Sequence, residues 1–246
     1  MPELAAELVR EKVDVIVTVG LAAAVAARKA TTSTPIVAST DDPVAAGLIA
    51  SLARPGGNVT GVAALVSELA GKRLEVLKEM LPRVSRVGAL TGQGSEPQAA
   101  AVQTAAGRLG VHLILLDVRT AADVDGAFER AQKERVGAII QLNTPFLASQ
   151  GLRIIGLAAR HRLPMLYPGR SFAEAGGLAA YGPDPDREAF SRLAILVDQI
   201  LKGARPADLP IERMTRIEFS VNLKTAKALG LTIPPSLLAR ADRVID

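Results

Sequence analysis

The 246-residue chain has no cysteine and no tryptophan, and only two histidines, five phenylalanines and two tyrosines. Each shortage closes off a class of chemistry. Without cysteine there is no disulfide scaffold, zinc ribbon, thiol nucleophile or iron–sulfur cluster. His112 and His161 are too few for a His-rich metal site. Long basic runs are missing too: 29 Lys and Arg are interleaved with 25 Asp and Glu, as in Glu129-Arg130 and Arg187-Glu188. A net charge of +4 and 3% aromatics offer neither a basic stripe nor a stacking platform, so no nucleic-acid partner is expected. No stretch of 18 apolar residues exists to span a membrane. Met1 to Leu4 opens into a helical pattern, not the basic and then apolar run of a signal peptide.

What is present is apolar and periodic. Hydrophobic residues make up 49% of the chain, which excludes disorder. Strand-like runs alternate with helical ones. Val13–Val19 is a β-branched strand and Leu21–Ala30 a helix of small residues. Thr34–Ala38 is a strand, Asp42–Leu52 a short helical stretch and Val59–Val62 a strand. Ser67 is placed as the cap of a helix with Ala70, Leu74, Leu77 and Leu81 on one stripe, stopped by Pro82. The rhythm restarts at Arg86, with strands at 87–90, 112–117, 137–142 and 165–167 and helices at 98–109, 122–134 and 152–160. Continuous apolar strands with helical crossovers predict an α/β fold with parallel sheets. The doubling about Pro82 predicts two Rossmann-like lobes. After a strand at 178–181 come a long helix over Pro185–Lys202, a strand at 217–221 and short helices at 223–229 and 235–240.

The motifs of catalysis are absent from the sequence. The turn Gly92-Gln93-Gly94-Ser95-Glu96-Pro97 puts proline where a dinucleotide fingerprint needs its last glycine. There is no phosphate-binding P-loop and no nucleophile elbow. Asp41-Asp42 is explained by helix capping, and His161 by a helix C-terminus. No cofactor, metal or enzymatic activity is expected. The polar or glycine-bearing strand ends remain: 18–20, 39–42, 60–61, 93–96, 141–144 and 181–182. In open parallel sheets ligands bind beyond the carboxyl ends of the strands, where helix N-terminal amides attract anionic groups.

Four segments, 42–62, 160–184, 200–212 and 222–245, resemble the ABC-transporter substrate-binding proteins that include receptors for tryptophan and other aromatic amino acids. The resemblance runs over nearly the whole chain, and the tail from 219 is its most specific part. It implies the type I periplasmic-binding-protein fold, with lobes at 1–83 plus about 178–207 and 84–177 plus about 208–246. It implies a small ligand, an amino acid or related carboxylate, held in a cleft between the lobes and delivered to a permease with its ATPase. Carried over residue by residue, the ligand contacts fall on Gly20, Leu21, Ala22, Thr40, Asp42 and Thr60 in the first lobe. In the second they fall on Gln93, Ser95, Glu96, Asn143, Thr144 and Tyr181. Leu21 stands where the family often has a hydroxyl residue, leaving only backbone donors. Gln93, Ser95 and Glu96 replace an Asn-Pro-rich turn. Tyr181 either stacks on a ligand or packs near the hinge.

The resemblance also implies a signal sequence and a first strand–helix–strand unit, roughly 30 residues or more, ahead of the segment matching Pro2 to Val19. An intact protein of this kind is periplasmic or anchored outside the membrane. Lacking that unit, the first lobe would expose an apolar edge along Val13–Val19 and self-associate through it. The residues alone leave two alternatives: a cytoplasmic α/β enzyme or ligand sensor, and a truncated relative that does not bind.

Overall fold

The computed structural model describes residues 1–64, 66–183, 189–214 and 216–246. The chain forms two compact units, Met1–Leu65 with Asp184–Thr215, and Val66–Pro183 with Arg216–Asp246. These boundaries differ from the expected 83, 178 and 207. The helix over Val66–Met80 packs along the helix over Glu96–Leu109, so it belongs with the segment after Pro82. The strand Ala179–Pro183 pairs within the second unit's sheet, and Glu212–Arg213 within the first unit's.

The first unit is built on four parallel strands in the order β1 (Ile16–Val19), β2 (Ile36–Thr40), β3 (Val59–Ala63) and β9 (Glu212–Arg213). Alternation sends Ile16, Ile36, Ala38 and Val59 to one face, where Ala24 and Ala27 of α2 (Leu21–Ala30) complete a core. Small residues let that helix lie close. Helix α1 (Pro2–Arg10) packs on α2. The other face joins Val37 and Val62 to Leu193, Leu196 and Ile200 of α9 (Phe190–Leu201). The expected start of this helix, Pro185, lies outside the described residues. α9 packs on β2 and β3. On the outermost strand, β1, Val17 and Val19 keep 52% and 45% of their surface exposed.

The expected helical stretch Asp42–Leu52 is instead a series of turns. Asp42 Oδ1 accepts from the amides of Val44 and Ala45. Gly47 at φ 66° then turns the backbone out of the helical region.

The second unit carries a seven-stranded sheet. Its order is β11 (Arg243–Ile245), β10 (Ile217–Asn222), β8 (Ala179–Pro183), β7 (Met165–Tyr167), β6 (Ala138–Gln141), β4 (Arg86–Thr91) and β5 (His112–Asp117). All pairs are parallel except β8 with β10. One face is covered by α3 (Val66–Met80) and α4 (Glu96–Leu109), the other by α5 (Asp123–Lys133), α7 (Gly151–Arg160) and α8 (Arg170–Glu174). Ser67, expected as the residue before this helix, lies inside α3, which begins at Val66. His161 ends α7 and stacks on Phe128 at 5.7 Å. Burial pushes the Tyr167 phenol above the usual tyrosine range. Among the described residues, no helix is long and apolar enough to cross a membrane.

Candidate ligand-binding site

In the first unit the site is a backbone construction. Gly20 links β1 to α2 at φ 89° and ψ 150°, a conformation open to glycine. Its amide donates to Ser39 O at 2.8 Å, which sets it beside Thr40 at the carboxyl end of β2. No side chain caps α2, so the first-turn amides, those of Leu21 and Ala22 among them, present the positive end of a ten-residue helix. Thr18 and Thr40 share the face that α2 covers. Both hydroxyls are buried without a hydrogen-bond partner among the described residues. Leaving a buried hydroxyl unmatched costs about 1–3 kcal/mol. Uncapped amides and unmatched hydroxyls at one strand end suit a carboxylate.

Two expected contacts of this unit are used elsewhere. Thr60 is not at a strand end: β3 runs on to Ala63, and the fully buried Thr60 hydroxyl donates to Leu209 O at 2.8 Å. Asp42 is exposed, and its Oδ1 is the turn cap described above.

In the second unit the site is made of side chains. The carboxyl ends of β4 and β6 are neighbours, Leu90 opposite Gln141. Their turns touch: a Cβ on Gly92 would lie 3.2 Å from Thr144 Oγ1. Ser95 is buried, and its hydroxyl donates to Gly92 O at 2.7 Å and accepts from Gly92 N at 3.0 Å. The Thr144 hydroxyl accepts from Leu147 N, capping the short helix α6 (Pro145–Ser149). Both hydroxyls therefore hold turns together. Gln93 and Glu96 are exposed, and Glu96 Oε1 accepts from Gly94 N at 3.4 Å. The Asn143 carboxamide is half-buried and has no partner among the described residues. Tyr181 lies on the sheet face covered by α3, its ring tilted 57° against Phe219 at 6.2 Å, which favours packing over stacking on a ligand.

Two residues that sequence reasoning passed over, Arg73 and Gln98, shape this end of the sheet together with Gln141 of the 141–144 strand end. Arg73, on the buried stripe of α3, has 0% exposure. Its guanidinium donates to Gln141 O at 2.9 Å and to Tyr181 O at 3.0 Å, tying the ends of β6 and β8 together. Gln98 of α4 holds the backbone of Asn143. The Gln141 amide is fully buried, and neither of its polar atoms has a partner among the described residues. A charged or amide residue at a core-facing helical position was the available signal in the first two cases.

The chain matches the model of the family described as ABC transporter substrate binding protein over residues 2–245. A tyrosine-binding protein of Clostridioides difficile is 27% identical over 235 residues, covering 93% of this chain, and the chain spans 66% of that relative's length. A conserved domain protein from Vibrio cholerae superposes with a TM-score of 0.87 at 30% identity, over 99% of this chain and 84% of that one. An ABC domain from Streptococcus pneumoniae, solved in complex with L-Trp, superposes with a TM-score of 0.86 at 28% identity, over 99% and 83%. The fold is the type I periplasmic-binding-protein fold expected from the sequence. The chain belongs to the ABC transporter substrate-binding protein family.

Proposed function

We propose that this protein captures a small carboxylate-bearing molecule, an amino acid first of all, and hands it to the permease of an ABC importer without covalent chemistry. The observation that carries the reading is in the first unit. There the uncapped α2 N-terminus stands beside the buried, unmatched Thr40 hydroxyl. Donors without acceptors at a strand end complement a carboxylate, and the backbone amides of Leu21 and Ala22, just past the Gly20 turn, supply them whatever the side chain at 21. The relatives add the ligand class, one being named for tyrosine and one holding L-Trp. In the second unit Gln93, Glu96 and Asn143 present polar side chains to the remainder of the ligand. A ligand that contacts both units selects the conformation in which both sets of contacts form, and a permease reads that conformation. Capture of this kind takes place outside the cytoplasmic membrane. The exposed Val17 and Val19 on the outermost strand also favour self-association through β1 at high concentration.

The test is isothermal titration with L-Trp, L-Tyr, L-Phe, L-Leu and the carboxamide of the tightest of them. Binding of at least one amino acid is expected, with the carboxamide at least about tenfold weaker. No heat with any of them, or equal affinity for acid and amide, overturns the reading.

A further inference from the structure

We infer that Gln98 is a positioning residue that presents the Asn143 carboxamide to the ligand, an inference that rests on the ligand-binding reading of Asn143. Strand β6 ends at Gln141, and the last backbone bond to β4 is Leu142 N to Leu90 O at 3.1 Å. Beyond it Asn143 has no strand beside it. The side chain of Gln98 takes the strand's place: Nε2 donates to Asn143 O at 2.8 Å and Oε1 accepts from Asn143 N at 2.8 Å. This reciprocal pair engages both polar groups of one residue and fixes the direction of its Cα–Cβ bond.

Gln98 shares the buried stripe of α4 with Val102, Ala105 and Ala106, and is 3% exposed. An amide in an apolar stripe is costly unless both ends are satisfied, and here Asn143's backbone satisfies both. Flanking residues hold the same segment. Arg73 binds Gln141 O on one side, and Thr144 is fixed by its bond from Leu147 N on the other. Everything in 141–144 is braced except the Asn143 carboxamide and the Gln141 amide. Bracing of this kind pre-organises a binding group whose own side chain stays unspent.

The experiment is a double-mutant cycle on affinity for the tightest binder among L-Trp, L-Tyr, L-Phe and L-Leu, with thermal unfolding measured in parallel. Gln98→Met keeps the length and helical preference of the side chain but loses both bonds. Asn143→Ala removes the presented group. Asn143→Ala is expected to weaken binding about tenfold, and Gln98→Met about three- to tenfold, with the double variant no weaker than Asn143→Ala alone. The fall in Tm from Gln98→Met should persist in both backgrounds. If Gln98→Met weakens binding equally with and without the Asn143 side chain, or not at all, the positioning role is wrong although Asn143 remains a contact. If Asn143→Ala leaves the affinity of a binding-competent protein unchanged, the Asn143 contact is wrong and the positioning role falls with it.

Discussion

The four-stranded unit and the seven-stranded unit finish their strand ends in different ways. In the first, the groups left available are the backbone amides of Leu21 and Ala22 and two buried hydroxyls, Thr18 and Thr40. In the second, the available group is the Asn143 side chain, and buried polar residues from the covering helices, Arg73 and Gln98, hold its surroundings. Backbone donors recognise what amino acids have in common, a carboxylate. Side chains on a braced strand end discriminate between ligands. A family that varies its ligands while keeping one fold would change the second kind of contact and keep the first.

The largest expected effects come from a glycine in each unit. Gly61 of β3 has φ 147°, and a Cβ there would lie 1.8 Å from Ala38 O on the neighbouring strand. Gly182 of β8 would bring a Cβ 1.9 Å from Pro168 O, just beyond β7. Gly61→Ala combines backbone strain with the clash, and should cost at least about 3 kcal/mol. Gly182→Ala carries the clash alone and should cost less. Hydrogen exchange resolves the units: Gly61→Ala should loosen β2 and β3, while β4, β5 and β6 keep their protection. Loss of protection throughout would mean that the two units do not unfold separately.

A smaller effect is expected at Thr40. Thr40→Val keeps the branched shape and removes a hydroxyl with no partner among the described residues. Stability should hold or rise slightly, while affinity for the amino acid falls about fivefold, equivalent to about 1 kcal/mol, with little change for its carboxamide. A matching loss for acid and amide would move Thr40 away from the carboxylate.

Much of this was legible in local pattern. The helix Leu21–Ala30, the strand His112–Asp117 and the strand Met165–Tyr167 have the bounds read from periodicity. Thr60 was misplaced because its polar Thr-Gly pair looked like a strand end, whereas it is the second residue of β3, near the amino end and not the carboxyl end. Pro82 looked like the junction between units, but the partner of α3 is α4, a long-range fact that periodicity does not carry. Ser95, Thr144 and Asp42 have the composition of ligand contacts, yet turn and cap geometry consumes them. Local hydrogen bonds compete for the residues that favour turns. Arg73 and Gln98 were visible as polar intrusions on apolar stripes, though their carbonyl partners lie 68 and 45 residues away.

The proposed binding mode has one ligand held by a backbone site in the first unit and a side-chain site in the second. Hydrogen exchange with and without the tightest-binding amino acid tests it most directly. Slowed exchange is expected in both 20–24 and 141–144 at saturation. Protection confined to one of these segments, or absent from both while the ligand is bound, would contradict it.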